Sequence, residues 1–167
     1  MRTLSPCQSR TSGSCQGLTL LELVLAIAIL AILASAVLPM AEVAVRRSKE
    51  LDLKRNLREI RTAIDAYKVD FDRAVQDKKI IASIDETGYP PDLETLVEGT
   101  DWSGLYPYKR RYLRKIPKDP FDEYGEGWAL RAYRDEPDST SYGGEDVYDV
   151  YSTSSRTAID GTLYSTW

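Results

Sequence analysis

Gly17-Leu18-Thr19-Leu20-Leu21-Glu22-Leu23 leads into residues 23–41, a stretch of Leu, Val, Ile, Ala and Met broken only by Ser35 and Pro39 and carrying no charge. A helix that crosses a membrane needs about 20 apolar residues, at about 1.5 Å rise each, to cover about 30 Å of hydrocarbon. The stretch is just long enough. Three readings compete for it. A core helix would have to be enclosed on every side, which a chain of 167 residues rarely manages. A secretory signal would use Arg2 and Arg10 as its basic region and Ala34-Ser35-Ala36 as its small-residue cleavage site. A retained membrane helix has to accommodate Glu22, because a carboxylate at membrane depth costs about 2.5–3.5 kcal/mol and calls for a partner. A signal discarded after export has no use for such a group, so Glu22 argues for retention.

Glycine, a short Leu/Thr stretch, a glutamate and an uninterrupted apolar run together resemble the class III signal of type IV pilins and type II secretion pseudopilins. The resemblance implies cleavage by a prepilin peptidase between Gly17 and Leu18, on the cytoplasmic side, and methylation of Leu18 as the new first residue. Leu18 departs from the Phe that many members carry there. It also implies a partner for Glu22, since cleavage creates an α-amine at Leu18 that a neighbouring subunit's Glu22 can neutralise. Such a pair inside an apolar core is far cheaper than two lone charges. Thr19, Glu22 and Pro39 are the assembly residues on this reading. The basic residues do not settle orientation by themselves, because Arg46, Arg47 and Lys49 follow the apolar run as Arg2 and Arg10 precede it.

Beyond Pro39 the helical pattern continues. Leu53, Leu57, Ile60, Ile64, Tyr67 and Phe71 recur at spacings of three and four, an apolar stripe on one face suited to packing on a sheet. Arg46–Glu50, Glu50–Lys54 and Arg55–Glu59 are opposite charges at i, i+4. A helix over residues 19–72 would measure roughly 80 Å, with Pro39 expected to kink or loosen it. The pattern has three parts: apolar all round, then polar on most faces over 42–52, then one-sided from Leu53. Residues 75–89 read as a connection. Pro90-Pro91-Asp92 opens a short helix that Gly99 closes. Trp128–Tyr133, Val147–Ser152 and Thr162–Trp167 read as strands separated by turn residues. The expected fold is α+β, a long N-terminal helix packed on a small antiparallel sheet. It divides into a leader (1–17), a transmembrane or filament-core helix (18–41) and a globular part (42–167).

Ala66-Tyr67-Lys68, Gly88-Tyr89-Pro90, Tyr112–Pro120 and Tyr148-Asp149-Val150-Tyr151-Ser152 extend the resemblance along most of the chain, toward the major pseudopilin of type II secretion and its pilin-like fold. Cys7 and Cys15 both fall in the leader, so no cysteine remains to close the C-terminal disulfide usual in type IV pilins. The resemblance implies a single-pass inner-membrane subunit, held in lipid before assembly, with its C-terminal domain in the periplasm. It further implies a filament of identical copies with minor pseudopilins, built by a cytoplasmic ATPase and a membrane platform. A type IV pilin, a minor pseudopilin, or an exported binding module released after Ala36 are the alternatives. The family's major members bind calcium in a loop just after the Tyr-Asp-x-Tyr-Ser segment. Here that loop holds Asp160, with Ser152 and Ser154 as candidate oxygen donors, few for a cation that takes six to eight ligands. The expectation is a hydrogen-bonded loop without a cofactor.

Nothing in the chain points to catalysis. There is no histidine, no glycine-rich phosphate loop and no serine elbow. The basic run Lys109-Arg110-Arg111-Tyr112-Leu113-Arg114-Lys115 has cations and an aromatic, but it sits in an acidic domain, so a charged protein face is expected and nucleic acid is not. The ten acids between Asp119 and Asp149 read mostly as solvated surface. Loss of the leader would remove Arg2 and Arg10 from the 22 basic side chains and none of the 26 acids, taking the net charge from −4 to −6.

Overall fold

The computed structural model describes residues 19–83 and 85–167. The chain falls into two compact units, Met1–Glu42 and Val43–Trp167. Among the described residues, helix α1 (Leu20–Gln76) supplies the regular structure of the first unit and the spine of the second. It is followed by α2 (Leu93–Glu98), strands β1 (Trp128–Arg131) and β2 (Asp149–Ser152), and a 3₁₀ turn at Tyr164–Thr166. The architecture is α+β and pilin-like: a long N-terminal helix and a two-stranded antiparallel sheet.

In the first unit α1 stays helical through Pro39. Ser35 Oγ donates to Ile32 O at 2.7 Å just before the proline, where the i→i−4 ladder loses a donor. In the second unit every member of the apolar stripe is buried, with Leu53, Ile60 and Ile64 at 0 % exposure, and Ala63 and Ala74 complete it. Tyr67 meets Trp102 and Tyr112 edge to face at 4.9 and 5.5 Å between ring centroids. Ile60→Ala should cost about 2–5 kcal/mol, the range for truncating a fully buried aliphatic. A lower denaturant midpoint at unchanged slope is the expected readout, and an unchanged midpoint would contradict this core.

Of the three i, i+4 pairs, Arg46–Glu50 approaches as an ion pair, at 3.9 Å. Glu50 is drawn instead to the C-terminal loop, and Lys54 lies 4.0 Å from the Trp167 ring centroid. The helix ends two residues later than the sequence suggests. Lys79 N donates to Ala74 O at 2.8 Å and Lys78 N to Val75 O at 3.0 Å, a Schellman ending with Lys78 in the left-handed region (φ 55°). Glycine normally takes that place and none is present, which hides the stop. Helix α2 is as expected: Asp92 Oδ1 accepts from Thr95 N at 2.7 Å, and Gly99 N donates to Thr95 O at 2.9 Å. A Cβ on Gly99, whose φ is 82°, would lie 2.5 Å from Arg110 O, so this position requires glycine.

The sheet pairs Trp128 with Ser152 and Arg131 with Asp149. Both strands are shorter than expected: past β1, side-chain carboxylates take the backbone donors, Asp135 from Ala132 N and Asp146 from Tyr133 N, and ahead of β2, Val147 N donates to Pro90 O instead of a sheet neighbour. The third expected strand, Thr162–Trp167, is corrected. This segment makes one bridge, Thr157 to Leu163, and then the 3₁₀ turn. The turn at Asp160-Gly161 folds the chain back on its own loop, with Ala158 N donating to Thr162 O and Tyr164 N to Arg156 O. Tyr164, at 0 % exposure, then stacks on Phe121 at 4.0 Å. Burial of that ring, rather than pairing at a sheet edge, sets the conformation.

Candidate functional site

Gly17 and Leu18, the expected processing pair, lie outside the described residues, as do Cys7 and Cys15. The geometry begins at Thr19. Thr19 precedes the first helical residue, its Oγ1 accepts from Glu22 N at 3.2 Å, and its carbonyl accepts from Leu23 N at 3.1 Å. Thr19-Leu20-Leu21-Glu22 is therefore an N-cap with an acid at the third helical position, the capping-box spacing. That signal is present in the sequence, where the glutamate stands out first as a charge in an apolar run. Two effects favour the carboxylate here: exposed N–H groups and the positive end of the helix dipole.

Downstream of Glu22 the helix is apolar on all sides and uncovered. Leu23, Leu25, Leu30, Leu33, Val37 and Met40 are all exposed, and the helix is long and apolar enough to cross a membrane. A helix of that kind is stable only in lipid or against other helices. Thr19, Glu22 and Pro39 thus share one helix: a cap, a carboxylate in the first turn, and a break in the hydrogen-bond ladder near the far end of the run.

The candidate calcium donors are each engaged in hydrogen bonds of their own. Asp160 Oδ1 accepts from both Thr162 N (3.0 Å) and Thr162 Oγ1 (2.7 Å). Ser152 Oγ, fully buried, donates to Asp119 Oδ2 at 2.5 Å and accepts from Ser154 N at 3.1 Å. No group of three or more His, Cys, Asp or Glu converges among the described residues. The bonds from Thr162 hold the Asp160 carboxyl below the usual carboxylate range.

The acids and bases of the head are sorted differently from the sequence expectation. Asp119 and Asp146 are buried rather than solvated: Asp119 accepts from Phe121 N at 2.8 Å, and Asp146 from Tyr133 N at 2.8 Å and from Thr87 Oγ1. Within the basic run, Arg110 is pinned by Asp70 at 2.7 Å, while Arg114 and Lys115 stay exposed. Asp70 itself, unread in the sequence, is 3 % exposed on the buried face of α1 and also accepts from Tyr106 and Tyr112. Burial, then the bond to Asp70, pushes the Tyr112 hydroxyl far above the ordinary tyrosine value, and burial raises Tyr67 as well. A group with a raised folded pKa contributes stability that is complete below its unfolded value and is lost as pH rises. Stability should therefore fall above about pH 10, and Tyr112→Phe should flatten that fall in thermal midpoints measured against pH. An identical slope in the variant would remove Tyr112 from the account.

Residues 13–38 match the family model described as the prokaryotic N-terminal methylation motif. The match covers the expected cleavage point, the Thr19 cap, Glu22 and most of the apolar run. No curated protein and no solved structure matches the chain. A motif of this prepilin type implies processing by a prepilin peptidase and, in general terms, assembly into a filament. It is also compatible with anchoring in the inner membrane through the apolar helix. The chain thus carries a prepilin-type N-terminal methylation motif, of the kind that begins type IV pilin-like proteins, on an α+β, pilin-like fold.

Proposed function

We propose that this chain is a structural subunit of a periplasmic pseudopilus that drives type II protein secretion, and that it has no catalytic role. The observation that carries the reading is the methylation motif running directly into a capped helix that is apolar on every side. Prepilin peptidase cuts after Gly17, Leu18 becomes the methylated first residue, and the chain waits as a single-pass inner-membrane protein with residues 43–167 in the periplasm. Assembly exchanges lipid around the uncovered apolar helix for neighbouring subunits, with each Glu22 paired to the Leu18 amine of the next copy. A membrane platform and its ATPase add subunits at the base, and minor pseudopilins join the same filament. Growth of the filament displaces folded substrate proteins. The landmark segments from Ala66 to Ser152, and the confinement of both cysteines to the first 17 residues, favour a pseudopilin over a type IV pilin.

N-terminal sequencing and intact mass of the membrane-extracted protein test the processing step. The expected product starts at Leu18 and carries one added methyl group; a product starting at Val37 would replace this reading with an exported, soluble module. The secretion role is tested by deleting the chain. Folded exoproteins should accumulate in the periplasm, and unchanged secretion with loss of surface filaments would instead assign a type IV pilin.

A further inference from the structure

The C-terminal loop is strapped to the first turns of α1 in the second unit. Arg46 Nη2 donates to Thr157 O, and Arg46 Nε donates to Tyr164 OH at 3.3 Å. One helical turn on, Glu50 Oε1 accepts from Ile159 N and from Tyr164 OH, both at 2.8 Å. These bonds hold the loop tip beside the turn that starts five residues after Ala41, the last residue of the uncharged run. Two side chains at the tip find no cover: Ile159 is 49 % exposed and Leu163 45 %. The loop's own carboxylate, Asp160, is exposed beside them, bonded to Thr162 and in the field of Lys54. Arg47 and Lys49 are exposed on the same stretch of helix and have no ion-pair partner among the described residues.

We propose that the 157–163 loop is a membrane-interface foot: before assembly, Ile159 and Leu163 rest in the bilayer surface while Arg47 and Lys49 reach headgroup phosphates. The proposal rests on the membrane-inserted subunit argued above. Its occupant follows from continuity, since the loop is bonded to the residues that emerge next after a membrane span. An apolar pair flanked by cations is the composition that settles at a lipid interface, where stems and rings enter the acyl boundary and charges stay with phosphate. The foot would also limit tilting of the head on the membrane and present subunits to the assembly platform in one orientation.

The test uses the full chain with Cys7→Ser and Cys15→Ser, reconstituted sparsely in phosphatidylethanolamine/phosphatidylglycerol vesicles. An environment-sensitive fluorophore is attached at Ile159→Cys or, as a control, at Ile81→Cys, a position 98 % exposed just beyond the end of α1. The probe at 159 should shift to the blue and lose most of its emission to brominated lipid, and the probe at 81 should do neither. Leu163→Asp should reverse the effect at 159. If the chain resists alkaline extraction but the probe at 159 behaves as in water, the foot is overturned and the membrane reading stands. If alkali extracts the chain, both are overturned. Protection at 159 that appears only when vesicles are crowded with protein would assign the loop to a second copy instead and also overturn the proposal.

Discussion

Glu22→Ala should yield a chain that is processed, inserted and folded over residues 43–167, yet forms no filaments. The backbone N–H of Glu22, rather than its carboxylate, donates to Thr19 Oγ1, so removing the side chain leaves the cap in place. What disappears is the anion that, in the proposed filament, neutralises a neighbour's α-amine. Stripping one partner from a buried ion pair costs about 3–5 kcal/mol, because the other charge is left uncompensated. At about 1.4 kcal/mol per tenfold, each subunit contact weakens by a hundredfold or more, and a filament repeats that loss at every step. Glu22→Gln should fail similarly, since an amide bonds an ammonium without cancelling it. The measurements are sheared-filament yield and crosslinked ladders, set against an unchanged thermal midpoint of the head. Wild-type filament yield from Glu22→Ala would refute the charge-pair argument.

Asp70→Ala should produce a large loss of stability in the head. Asp70 is almost wholly buried and holds three donors together: Tyr106 OH at 2.8 Å, Tyr112 OH at 2.7 Å and Arg110 Nε at 2.7 Å. Those donors come from the loop that follows α2, so one carboxylate on α1 docks that loop to the helix. Tyr112 in turn accepts from Trp102 Nε1 at 2.8 Å, which carries the network into the aromatic core. Its loss leaves Arg110 without its anion and two tyrosine hydroxyls without their acceptor. The arginine side chain is 36 % exposed and water softens the cost, which places it near the lower end of the range for a broken buried pair, about 3 kcal/mol. For a head of this size that corresponds to a drop of about 10 °C in thermal midpoint. Asp70→Asn, which keeps one acceptor, should fall between. Circular-dichroism melts of the full chain in detergent provide the check, and a midpoint within a degree or two of wild type would show that the network is dispensable.

These two acids show how unevenly the site could be read from sequence. Glu22 stands out because its surroundings are uniform: one charge in an apolar run is visible without knowing any long-range contact. Asp70 lies in a stretch where charged residues are common, between Lys68 and Asp72 on a helix with a polar outer face. Only the helical phase separates it from its neighbours, since position 70 falls on the buried side with Tyr67 and Ala74. Its partners lie 36 to 42 residues away, in a loop whose path no local pattern reveals. Asp119 and Asp146 were hidden for the same reason, inside an acid-rich third of the chain that is mostly solvated.

The sequence alone determined the elements whose signals are periodic or compositional. These are the all-round apolar helix, the stripe from Leu53 to Phe71, the capped start and glycine stop of α2, and the prepilin-type processing motif. Each depends on residues within a turn or two of one another, so local sterics and hydrophobic burial suffice. Tertiary structure alone decided which carboxylates are buried and which backbone donors they satisfy. It also decided that the last segment packs Tyr164 against Phe121 instead of adding a strand, and that Arg46 and Glu50 hold the C-terminal loop. The physical reason is that desolvating a polar group is tolerable only where a partner waits, and the partner is supplied by chain distant in sequence.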